Sequence, residues 1–107
     1  LLANLADGPP LGYSRRVAAT VAAVLPEVAL RADPAVFRGR RFGNVVLAAS
    51  RGPLPLARLS RVASGAMFAQ RVLAGTDLAA FIGGARVLSD ADPMRSPAPP
   101  DDIWRVQ

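Results

Sequence analysis

The sequence predicts an α/β domain, and more narrowly the second half of one. Short apolar runs at Leu1–Leu5, Val28–Ala32 and Phe42–Ser50 read as strands, with helical periodicity between the first two. The order strand, helix, strand, strand then gives way to short helical and proline-rich segments. Neither a Gly-x-Gly-x-x-Gly turn nor a phosphate loop joins a strand to a helix. The ligand-binding half of such a domain is therefore expected upstream of Leu1, an apolar strand residue without a starting methionine.

The first strand closes on Ala6-Asp7-Gly8-Pro9-Pro10, a cluster that breaks extended structure and suits the entry to a helix. From Leu11 or Gly12 to Leu25, the residues Tyr13, Val17, Val21 and Val24 recur at spacings of four and three, with Ala18 and Leu25 beside them. Arg15 and Arg16 fall outside that stripe and are expected to be solvated. Pro26 disfavours helical geometry at Leu25 and ends the helix. Val28–Ala32 and Phe42–Ser50 are joined through Pro34–Arg41, a basic, glycine-containing connection, and form an antiparallel hairpin with a long loop. Leu56, Leu59, Val62 and Ala63 predict a short helix ending near Ser64-Gly65. Val72 and Leu73 carry no assignable pattern. Thr76 reads as the N-cap of a helix over Asp77–Ile82, which Gly83-Gly84 terminate. Residues 1–88 then form one partial domain, and 89–107 a Pro-rich extended tail with Ile103 and Trp104 as its docking candidates.

Composition narrows the chemistry. A chain of 107 residues with six aromatic side chains and much alanine builds a thin core, of marginal stability by itself. All thirteen basic residues are arginine and only one glutamate occurs, a pattern that GC-rich coding produces without selection for a ligand. The formal charge of +5 nonetheless attracts anions over a Debye length of about 8 Å. No run approaches the roughly 20 apolar residues of a membrane span, and no leader peptide precedes the first strand, so a cytoplasmic protein is expected.

Without histidine or cysteine there is no triad, thiol nucleophile or zinc site. Asp90 and Asp92, and likewise Asp101-Asp102, read as solvated turn aspartates rather than acid–base partners. Asn4 and Asp7 are better placed, because ligands of open α/β sheets bind outside the carboxyl ends of the strands. They are the substrate-side candidates. The structural alternative is that Asn4 ties down the loop and Asp7 makes an Asx-turn into Gly8. Arg38, Arg40 and Arg41, interleaved with Phe37 and Phe42, form the densest basic cluster, too short to specify nucleic acid.

Leu2-Ala3-Asn4-Leu5-Ala6-Asp7-Gly8-Pro9-Pro10 and Arg38-Gly39-Arg40-Arg41-Phe42-Gly43-Asn44-Val45-Val46-Leu47-Ala48-Ala49-Ser50, with Arg71-Val72-Leu73-Ala74-Gly75-Thr76-Asp77-Leu78 and Gly83-Gly84-Ala85 after them, resemble the C-terminal part of spermidine synthase-like proteins. The resemblance implies the C-terminal half of a Rossmann-like class I methyltransferase-type sheet: strand, helix, strand and antiparallel last strand, then short helices. It covers most of this chain, and about the last two fifths of a typical family member. It implies a parent transferase moving an aminopropyl or methyl group from S-adenosylmethionine or its decarboxylated form onto a small-molecule amine. The family's glycine-rich cofactor turn, ribose-gripping acid and aspartate loop precede the first strand, so no catalytic or cofactor-binding residue carries over. Only Asn4 and Asp7 match positions bordering the site. The chain alone is expected to bind no cofactor, to be inactive, and to need its N-terminal half or a second protomer as partner. The alternative is a non-enzymatic basic module binding nucleic acid or a protein.

Overall fold

The computed structural model describes residues 1–58 and 70–98. Strand β1 (Leu2–Asp7) leads into helix α1 (Gly12–Ala22), then β2 (Glu27–Ala32), the short helix α2 (Pro34–Phe37) and β3 (Gly43–Ser50); β4 (Arg71–Ala74) and α3 (Gly75–Ile82) follow. The strands form one sheet in the order β1-β3-β2-β4, with every neighbouring pair antiparallel. Strands β1 and β2 therefore run parallel to each other with β3 returning between them, so the strand–helix–strand–antiparallel strand order is as predicted.

Period-2 alternation settles which face of the sheet is buried. Leu5, Val28, Leu30, Val45, Leu47 and Leu73 point to one face and join Leu11, Ala18, Val36, Leu78 and Phe81 in a single core cluster. Registers keep like with like: Leu5 faces Val45, and Leu30 faces Leu47 on one side and Leu73 on the other. Gly43 opens β3 where a Cβ would lie 2.6 Å from Cγ2 of the fully buried Val36. Gly43→Ala is accordingly expected to lower stability by about 1–3 kcal/mol in a urea titration, through overpacking and not backbone strain.

Several boundaries differ from the sequence reading. Strand β1 runs two residues beyond Leu5, because pairing of Ala6 with Asn44 and Asp7 with Gly43 outweighs the breaker cluster. Helix α1 stops at Ala22, its end tightened by the Val24 N–H to Val21 O bond of 3.0 Å, and Val24 is 74% exposed rather than part of the stripe. The fully buried residues of α1 are Ser14 and Ala18, with Tyr13, Val17 and Val21 only partly covered. Small side chains take the closest approach of helix to sheet. The connection Pro34–Arg41 contains α2, capped by Asp33 with proline in its first turn. The unassigned Val72 and Leu73 lie in β4, whose four residues are too few to show a period. Helix α3 begins at Gly75, not after a Thr76 cap; its φ of +56° lets the chain turn from β4 straight into the helix. The helix predicted over Leu56–Ala63 shows its first turn at 56–58, and its remainder lies outside the described residues.

Arg15 and Arg16 are not simply solvated. The Arg15 guanidinium lies 4.2 Å from the Phe81 ring centroid and donates to the carbonyls of Phe81 and Pro10, joining α1 to α3. Arg16, its side chain 12% exposed, donates to the carbonyls of Arg86, Val87 and Asp92 and pairs with the Asp92 carboxylate at 2.8 Å. Thr20 Oγ1 accepts from the Leu88 N–H at 2.8 Å. Residues 86–92 are therefore strapped along α1, and Ser96 donates to the Ala6 carbonyl. Ile103 and Trp104 lie outside the described residues.

Candidate functional site

Parallel β1 and β2 end on the same edge of the sheet, where antiparallel β3 and β4 begin. By the rule for open α/β sheets this is the ligand side. Asp7, Asp33, Asn44 and Gln70 are brought to it from positions far apart in the chain.

Asp7 is 1% exposed and fully engaged: one carboxylate oxygen accepts from the Gly8 N–H at 2.9 Å and the other from the Ser14 N–H at 2.7 Å. The first bond is the Asx-type contact that Asp7-Gly8 predicts. The second satisfies an orphan donor in the first turn of α1, where the helix dipole also favours an anion. Leu11 precedes that turn at φ +67° with its side chain wholly buried, a left-handed conformation that packing holds in place. Ser14 Oγ is buried with no partner. Ser14→Ala should therefore leave stability unchanged or raise it by up to about 1 kcal/mol, read from the urea midpoint. A loss larger than that would show that the hydroxyl has a partner after all.

Asn4 is exposed at mid-strand, opposite Val46. Alternation places it on the face away from Asp7, so the two predicted candidates do not converge on one point. The residues that do converge are others. Asp33, Val36, Arg41, Asn44 and Gln70 line a cavity of about 310 Å³ at the ends of β2 and β3. Asp33 Oδ1 accepts from the Ala35 N–H at 2.8 Å and Oδ2 from Arg41 at 3.1 Å. Arg41 is exposed and Asp33 half-buried, so this ion pair contributes at most about 1 kcal/mol and serves chiefly to orient Arg41.

Arg38 and Arg40 are exposed in the turn that the Arg40 N–H to Ala35 O bond closes at 2.9 Å, and neither lines the cavity. The β2–β4 pairing adds Arg71, opposite Ala32. The aromatic residues predicted to interleave the arginines do not serve as a stacking platform. Phe37 packs edge-on against Phe81 with ring centroids 5.7 Å apart, and Phe42 lies against Gly8. Asp92 is a turn aspartate, as expected, though paired with Arg16 and Arg86; Asp101 and Asp102 lie outside the described residues.

Sequence reasoning missed Asp33, although Asp33-Pro34 is a recognisable N-cap followed by proline at the first helical position. Gln70 and Arg71 had no local signal, since only strand pairing places them. Chemically, the edge offers two side-chain amides, one oriented guanidinium and three further arginine-bearing positions. It can bind and orient a polar ligand.

A crystal structure of a probable spermidine synthase from Corynebacterium glutamicum matches 92% of this chain with a TM-score of 0.75 and 24% sequence identity. The chain spans 37% of that protein's length. No family profile matches the sequence, and no curated protein matches it. The likeness shows the fold: this mixed α/β arrangement, with its return strand between β1 and β2, is shared with a portion of that longer protein.

Proposed function

We propose that this chain is the C-terminal part of a spermidine synthase-like transferase, one that moves an aminopropyl or methyl group from a sulfonium donor to a small acceptor such as an amine. The observation carrying this reading is the fold match over nearly the whole chain to about a third of a longer protein bearing that description. In this reading the chain supplies the closing strands of the sheet and the acceptor-side border near Asn4 and Asp7. The donor and the reacting groups belong to the other part, and the chain alone is inactive. A cytoplasmic location goes with it; among the described residues no helix is long and apolar enough to cross a membrane.

The residues present do not fit S-adenosylmethionine or its decarboxylated form. The turn from β1 to α1 holds one glycine and two prolines, and the Asp7 carboxylate already takes the Ser14 N–H in the first turn of the helix. Arginines, repulsive to a sulfonium cation, crowd the neighbouring strand ends. No step is therefore assigned through this chain.

Strand β1 is an edge strand among the described residues, with Leu1 and Leu2 exposed and no charged guard residue along its free side. Such an edge pairs with another chain unless covered. Light scattering on the isolated chain should show species larger than a monomer, and co-expression with the segment encoded upstream should convert them to a 1:1 assembly. A sharp monomer that ignores the upstream segment would refute the reading. So would an upstream coding sequence lacking a glycine-rich strand–loop–helix and an aspartate loop.

A further inference from the structure

Among the described residues the sheet is packed on one face only. Helices α1, α2 and α3 contribute Ala18, Val36, Leu78 and Phe81 to the core cluster on the face of Leu30 and Leu47. The opposite face carries Leu2, Ala29, Val46, Ala48 and Val72, which with Arg31 line a cavity of about 230 Å³. The registers agree: Leu2 and Ala29 both lie opposite Ala48, and Arg31 lies between Val46 and Val72. Ala29 is 3% exposed yet stands outside the core cluster. Strand β3 runs apolar from Val45 to Ala49 without alternating, the pattern of a strand covered on both faces. Arg31 makes this surface selective. Its Nε is buried without a hydrogen-bond partner, and no acid pairs with its guanidinium among the described residues. A desolvated, unanswered guanidinium is costly, and a carboxylate is the group that matches its fork.

We infer that this face seats an amphipathic element from the part upstream of Leu1, apolar toward Val46 and Ala48 and bearing an aspartate or glutamate opposite Arg31. Such an element presupposes the longer transferase proposed above, in which this chain is the C-terminal part. Two observations select it. Leu2, 75% exposed, belongs both to the cavity and to the free edge of β1, so the face is continuous with the edge along which the upstream part pairs. The charge supplies the rest. A purely apolar occupant would leave Arg31 stranded, whereas a carboxylate answers it and fixes the register of the element on the sheet.

The chain has no cysteine, so a single introduced thiol reports on one place. Val46→Cys puts it on the second face, and Arg51→Cys on exposed chain just past β3. Each variant is labelled with a maleimide, alone and co-expressed with the upstream segment, and modification of this chain is followed by mass spectrometry. Val46→Cys should label readily alone and about tenfold or more slowly in the assembly. Arg51→Cys should label alike in both. Arg31→Met, its fold confirmed by circular dichroism, should weaken the assembly by about tenfold or more, because the facing carboxylate is stranded. Assembly as tight with Arg31→Met as with arginine would overturn the carboxylate. Protection of Val46→Cys in the dilute chain alone would give the face to this chain's own residues, and protection that grows with concentration would give it to a second copy. Either result overturns the proposal. An assembly that forms while Val46→Cys stays reactive refutes the face and leaves the transferase reading standing. If no assembly forms, both fall.

Discussion

Leu47→Ala is expected to lower the unfolding free energy by about 3–5 kcal/mol, the upper range for a leucine truncated in a packed core. Leu47 is wholly buried at the centre of β3, with Leu30 opposite it on β2 and the small Ala3 opposite it on β1. Alanine on one flank leaves little side chain able to collapse into the void, which puts the loss near the top of the range. Small domains hold only about 5–15 kcal/mol in total, so the variant should be largely unfolded at modest urea concentration. Val46→Ala, one residue away on the opposite face and only partly buried, should lose less than half as much. Equal losses at 46 and 47 would contradict the assignment of faces.

Asp7→Ala should lower stability by about 2–3 kcal/mol, because it strands the Gly8 and Ser14 N–H groups that its carboxylate receives. Asp7→Asn keeps one accepting oxygen and should lose roughly half of that. The pair of variants separates a cap from a substrate contact: a cap shifts the urea midpoint in the order Ala beyond Asn. If neither variant moves the midpoint, the two bonds do not hold the turn from β1 to α1.

Much of this fold was legible because it rests on local chemistry. The β-branched run through Val45 and Val46 and the Gly83 stop each act within a few residues, and each appears where expected. What was hidden depends on distance along the chain. β4 acquires its identity from pairing with β2, and Arg16 loses its freedom to a segment seventy residues on. Val24 obeys helical spacing yet stands in solvent, because the helix ends before reaching it. The candidate site divides in the same way. Asp7 was found from its place at the end of a strand, but its carboxylate serves the backbone. Asn4 was placed at a strand terminus that lies farther on, at Asp7. Asp33, Gln70 and Arg71 meet only once the sheet is assembled.

Whether the donor is held outside this chain can be decided by titrating S-adenosylmethionine and its decarboxylated form into two proteins, the chain alone and the chain joined to its upstream segment. The chain alone should give no saturable heat with either compound, while the longer protein should bind one of them at micromolar concentration. Micromolar binding by the chain alone, or none by the longer protein, would contradict the proposal.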